Sequence, residues 1–154
     1  MVERARLEVE VFKAIRMPVP PSLLRGLLQR AARVPEVEAR LPAGAATIAV
    51  RLTTDDELRR LNRDFAGQDA VTDVLSFAGS QQHLGDLAIS WPMVLRQASE
   101  FGESEQAELG LLCVHGLLHL LGWDHESEAQ REEMTRITIA ALELSGLHIP
   151  PRRL

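Results

Sequence analysis

The stretch His115-Gly116-Leu117-Leu118-His119-Leu120-Leu121-Gly122-Trp123-Asp124-His125 sets the reading of the whole chain. It ends a run from Leu109 to Trp123 that carries no charge when its histidines are neutral, the pattern of a buried helix. At 15 residues the run falls short of the ~20 needed to cross a bilayer. Residues four apart on a helix share a face one turn apart, so His115 and His119 can aim their imidazoles at one point. Gly122 tolerates the left-handed backbone that closes a helix, which lets the chain turn His125 back toward the pair.

Neutral imidazole is a common zinc ligand, and three of them leave a fourth tetrahedral position open for water or substrate, the mark of a catalytic site. The expectation is one Zn2+ per chain on His115, His119 and His125. Closed structural sites draw on several cysteines, and the single Cys113 projects about 200° away from His115 on a helix turning ~100° per residue. Two polar rings one turn apart on a leucine-rich helix need a shared partner to offset their burial. The spacing also matches the metzincin pattern HExxHxxGxxH at every liganding position. That class uses the glutamate after the first histidine as general base, and here Gly116 stands there. Peptide hydrolysis loses its base; metal-assisted attack on another substrate does not.

Upstream, Leu7, Val9 and Val11 alternate with charged residues, predicting a first strand. Helical spacing from Ser22 to Arg33 follows, then a β-branched strand from Thr47 to Leu52. Thr54 with Glu57 three residues on is a capping box, predicting a helix from Asp55 to about Phe65 with Leu58, Leu61 and Phe65 inward. Val71 to Ala78 reads as a strand, Gly79 to His83 as a polar loop and Leu84 to Ser90 as a strand. Helices from Ser90 to Phe101-Gly102, Ser104 to Leu121 and Ser127 to Ser145 complete the chain. Strands first and helices later predict one compact α/β (α+β) domain, with about four strands in a mixed sheet and about five helices. The domain is expected to span residues 1–149, with 150–154 a flexible tail.

A hydrophobic share of 45% and a charged share of 25% fit a globular chain and exclude disorder. Charges throughout the N-terminus leave no signal-peptide core, so a cytoplasmic protein without membrane attachment is expected. With 22 acidic against 17 basic residues the net charge is -5, so a nucleic acid must be met by a local patch rather than by the whole surface. Sixteen of those basic residues are arginine, the side chain suited to bidentate phosphate contact.

The motif HGLLHLLGWDH resembles the HGxLHLxGxDH signature of the YbeY family of bacterial rRNA-maturation endoribonucleases. Leu61-Asn62-Arg63-Asp64-Phe65, Thr72-Asp73-Val74-Leu75-Ser76-Phe77 and Leu84-Gly85-Asp86-Leu87 are similar to that family's other segments, in the same order. The resemblance implies a compact α/β fold and zinc on His115, His119 and His125. It further implies single-strand-specific RNA cleavage in ribosomal RNA maturation and ribosome quality control, with no DNA substrate. A small-subunit ribosomal protein and a ribosome-assembly GTPase are the partners it brings.

One departure stands out. After the LNxxF segment the family normally carries an arginine, thought to contact substrate phosphate, followed by Gly-Lys-Asp. This chain has Ala66-Gly67-Gln68-Asp69. Arg63, about one helical turn from position 66, is the candidate replacement, with Arg59 and Arg60 as alternatives on what is otherwise a solvated face. Asp86 is the candidate for orienting a ligand or moving a proton, with Asp73 and Asp124 as further carboxylates. Trp123 can stack on a base or pack in the core, whereas His83 and His148 fall outside the expected site. Two other readings compete with a ribonuclease: a non-catalytic zinc-containing ribosome-binding factor, favoured by Ala66, and a metalloprotease-like hydrolase, disfavoured by Gly116.

Overall fold

The computed structural model describes residues 4–150 and 153–154. Its four strands are β1 (Arg6–Lys13), β2 (Ala45–Thr53), β3 (Val74–Ser80) and β4 (His83–Ser90), in the spatial order β1-β2-β4-β3. The pairs β1–β2 and β2–β4 are parallel, and β3 runs antiparallel along the β4 edge, so the sheet is mixed as expected. The helices are α1 (Pro21–Ala31), α2 (Pro35–Glu38), α3 (Asp55–Ala66), α4 (Trp91–Phe101), α5 (Glu105–Leu120) and α6 (Glu128–Glu143). The five expected helices are joined by the single turn α2. Its Pro35 supplies the fixed φ of a first helical position.

The alternation in β1 does what its period requires. Leu7 and Val9 are buried while Arg6, Glu8 and Glu10 point the other way. Cross-strand partners share a face, so Val9, Ile48, Val50, Leu52, Leu87 and Ile89 form one apolar surface. Helices α1 and α5 cover that surface. Gly116 allows α5 to approach β4, since a Cβ there would stand 2.6 Å from Leu87 Cδ2. The opposite face carries Glu10, Phe12, Arg51, Phe77 and Asp86, over which α3 lies only in part.

Two local expectations shift. The Val71 strand starts three residues late, at Val74, and the loop expected at 79–83 contracts to a turn at Gln81-Gln82, with Gln81 in the left-handed region at φ 56°. Gly79, Ser80 and His83 therefore belong to strands. The Thr54 cap forms, its hydroxyl accepting from Glu57 N at 3.2 Å. Leu58 is buried beneath α3, but Phe65 is 71% exposed and Asn62 is buried in its place. The Asn62 amide offsets its burial by donating to Ala70 O at 3.0 Å. No helix among the described residues is long and apolar enough to cross a membrane.

Candidate metal centre

Helix α5 begins with Ser104, whose side chain accepts from Ala107 N, and runs to Leu120, so one rigid element carries both His115 and His119. Gly122 adopts φ 99°, and Trp123 N reaches back to Leu118 O at 3.0 Å, closing the helix as its sequence requires. Asp124 then accepts from Glu126 N at 2.9 Å, a local turn that brackets His125. The cap of α6 is Ser127, whose side chain accepts from Gln130 N.

His125 lies near each of the two helical imidazoles. Ring centroids of His119 and His125 stand 5.2 Å apart and those of His115 and His125 6.1 Å. Nitrogen–zinc bonds of about 2.0–2.1 Å at tetrahedral angles put coordinating imidazole centroids roughly 5 Å apart. The first pair already has that spacing; the second is wider. Among the described residues no three His, Cys, Asp or Glu side chains are gathered at metal-holding distance. The rings thus form an open cluster, with His125 on an exposed loop.

Protonation states favour ligation. His119 Nδ1 lies 2.9 Å from Trp123 O, a pure acceptor, so Nδ1 carries a hydrogen and Nε2 is the nitrogen whose lone pair is free in the neutral ring. Burial lowers the His115 pKa to about 4, with the nearby His125, His119 and Arg153 adding to the effect, so this imidazole is neutral at physiological pH. Cys113 is fully buried and its thiol is pushed up to about 12, so it supplies no thiolate.

The other candidates go elsewhere. Asp86 follows the opposite parity to Leu87 and turns to the far face of the sheet, where it lines a groove of about 470 Å³ with Phe12, Arg51 and Phe77. Its carboxylate meets His83 Nε2 at 3.3 Å. Arg63, half-exposed on α3, engages Asp64 at 3.2 Å. Arg59 pairs with Asp69 at 2.7 Å and Arg60 with Glu57 at 3.4 Å. Asp73 is structural: it accepts from Val74 N at 2.8 Å and from Gln97 Nε2 at 3.4 Å. Trp123 is core, 3% exposed, with the Arg40 guanidinium 3.6 Å above its ring.

Sequence reasoning missed Arg40 and Arg153. Arg153, from the segment expected as a tail, pairs with the fully buried Glu108 and donates to Gln97 Oε1 at 3.3 Å. Glu108 lies two helical turns before His115 on the same face of α5. A glutamate inside an otherwise apolar helix was the available signal for a buried partner.

Fold and site together define a single α/β layer whose principal helix presents a cluster of histidines beside an antiparallel edge strand. The profile of the family described as Endoribonuclease YbeY matches residues 16–145, and the chain belongs to that family. It is 46% identical to Endoribonuclease YbeY of Chloroflexus aggregans over 136 residues, covering 80% of this chain and 88% of that one. Endoribonuclease YbeY of Roseiflexus castenholzii is 38% identical, with 90% and 94% covered. The solution structure of TM1509 from Thermotoga maritima superposes with a TM-score of 0.61 at 26% identity, covering 88% of this chain and 90% of that one.

Proposed function

We propose that this protein is a zinc-dependent endoribonuclease that cuts single-stranded RNA in ribosomal RNA maturation and ribosome quality control. The observation that carries the reading is the convergence of His115, His119 and His125, with His119 held in the tautomer that frees Nε2. When bound there, zinc would supply Lewis acidity toward a phosphoryl oxygen and acidify a water. The chain's own part is to fix two ligands on a buried helix and bring the third on a turned loop.

Family membership supports RNA as the substrate. The expected small-subunit ribosomal protein and ribosome-assembly GTPase would recruit an acidic chain that attracts phosphate weakly on its own. A cytoplasmic location follows from that role. Arg63 and Asp86 are left out of the proposed centre, since one is engaged by Asp64 and the other faces across the sheet. The non-catalytic ribosome-binding reading keeps one observation in its favour: Ala66 is not replaced by a free arginine on α3, where Arg59, Arg60 and Arg63 all meet carboxylates.

The test is metal analysis followed by incubation of zinc-loaded and metal-stripped protein with single-stranded RNA and with casein. RNA cleavage by the loaded protein alone, absent from His115→Ala, is the expected result. A stoichiometrically loaded protein that leaves RNA intact would overturn the nuclease reading.

A further inference from the structure

The missing arginine at position 66 raises a question of charge: which cation faces a phosphate near the histidines? The arginines of α3 and its surroundings are engaged. Arg51 and Arg60 both meet Glu57, Arg59 meets Asp69, Arg63 meets Asp64 and Arg96 meets Asp55. Arg40, which follows α2, is different. It is exposed, stacked 3.6 Å over Trp123, and donates through Nη1 to Leu121 O at 3.2 Å. No carboxylate contacts it among the described residues. Stack and hydrogen bond fix the guanidinium plane and use one of its five donors, so the remaining fork is preorganised for an anion.

The space beside Arg40 fits that anion. A groove of about 290 Å³ runs between Arg40 and the β3–β4 hairpin, with Gly79, Gln81 and His83 on one wall and Leu120 and Leu121 on the other. Leu120 directly follows His119, so the groove borders the last turn of α5, the turn that also carries His119. Its charged and titratable lining is Arg40 and His83, with no carboxylate, on a chain whose net charge is -5. Asp86 reaches this wall only through its contact with His83. The volume lies at the small end of ligand clefts, roughly 300 Å³ upward, which suits one nucleotide of a longer strand.

We propose that Arg40 and the groove it borders form a subsite for one backbone phosphate of single-stranded RNA, next to the phosphate at the histidine cluster. The subsite rests on the nuclease reading above. Trp123 is buried under the guanidinium, so the contact is to phosphate rather than to a base and carries no sequence preference. Arg40 thereby takes over the charge lost at Ala66 from another side of the centre.

The experiment measures binding of a fluorescein-labelled single-stranded RNA 12-mer to the zinc-loaded full chain by anisotropy across a salt series. Arg40→Gln removes the charge and keeps a shorter planar donor; Arg40→Lys keeps the charge and loses the fork. A single phosphate contact on a single strand contributes about 0.7 to the slope of log K against log salt. Arg40→Gln is therefore expected to lower the slope by about 0.7 and weaken binding about fourfold at 0.15 M salt and about tenfold near 0.04 M. Arg40→Lys should retain the slope. Zinc content and the urea midpoint are measured on each variant, and they should match wild type for Arg40→Gln. Wild-type affinity and slope in Arg40→Gln, with wild type still binding and cutting RNA, overturns the subsite and leaves the nuclease reading intact. Wild type that neither binds nor cuts RNA overturns both. A lower affinity at unchanged slope, accompanied by loss of zinc, assigns Arg40 to supporting the Trp123 turn and also overturns the subsite.

Discussion

The C-terminal end of α5 and the surface of α3 are both helical and both were expected to serve the same reaction, yet they are organised by different forces. At the end of α5, backbone geometry does the work: a four-residue interval, a left-handed glycine at Gly122 and a close approach at Gly116 place the imidazoles. On α3 the chemistry lies in long, exposed side chains whose partners are chosen in space, so Arg59, Arg60 and Arg63 close on carboxylates. A site built from backbone intervals is fixed once the helix forms. One built from surface charge is set by every neighbour.

The largest effect should come from breaking the first region directly. His115→Ala, His119→Ala or His125→Ala should each reduce bound zinc and lower RNA cleavage by more than about a hundredfold, beyond the 10–100-fold typical of residues that only support a ligand. Chelator competition and a single-turnover cleavage assay read the two effects. Retention of stoichiometric zinc by the triple variant would remove the basis of the comparison.

The buried pair near the start of α5 ranks next. Glu108 has no exposed side-chain surface and Arg153 only 15%, so Arg153→Ala strands a carboxylate in the core. We expect a loss of about 3–5 kcal/mol in urea denaturation, largely recovered by adding Glu108→Leu, because removing both charges avoids the desolvation cost. If Arg153→Ala costs no more than a surface pair, the contact is peripheral and α5 is anchored otherwise.

Gly116 gives a finer test of the close approach. An added methyl group meets both Leu87 Cδ atoms, at 2.6 and 2.7 Å, and Leu87 is itself 1% exposed. Gly116→Ala should cost about 1–3 kcal/mol by overpacking. The same contact disfavours the metzincin glutamate at this position: any side chain there must displace the buried Leu87. Gly116→Glu should therefore give a destabilised chain with no casein cleavage, and a stable peptidase from that substitution would refute the packing argument.

These contrasts also mark what the sequence could disclose. The alternation of β1, the Thr54 cap, the histidine helix and its glycine end all follow from intervals within one segment, and each was legible. Phe65 was misjudged because its helical position faces a sheet surface that α3 covers incompletely, which depends on where Phe12 and Phe77 lie. The hairpin at Gln81-Gln82 was hidden by the polar, turn-prone composition of Gly79 and Ser80, which pairing with β4 overrides. Asp86 lies two residues from the predicted LGD segment's start, and its face is known only once α5 is seen to pack on Leu87, the residue of opposite parity. Arg40 was invisible for the same reason: its partners Leu121 and Trp123 are about 80 residues away.

The smallest effect is the one that weighs the two regions against each other. Arg63 is half-exposed and its contact with Asp64 is a surface pair, so Arg63→Ala should change stability by no more than about 0.5 kcal/mol. Its effect on RNA binding is the sharper reading. An arginine held by a carboxylate releases few counterions when a phosphate arrives, since the ion pair must open first. The salt slope should therefore fall by less for Arg63→Ala than for Arg40→Gln, measured on the same labelled strand. If Arg63→Ala instead removes the larger share of the slope, the α3 surface rearranges to meet RNA, and its ion pairs are a resting arrangement that substrate breaks.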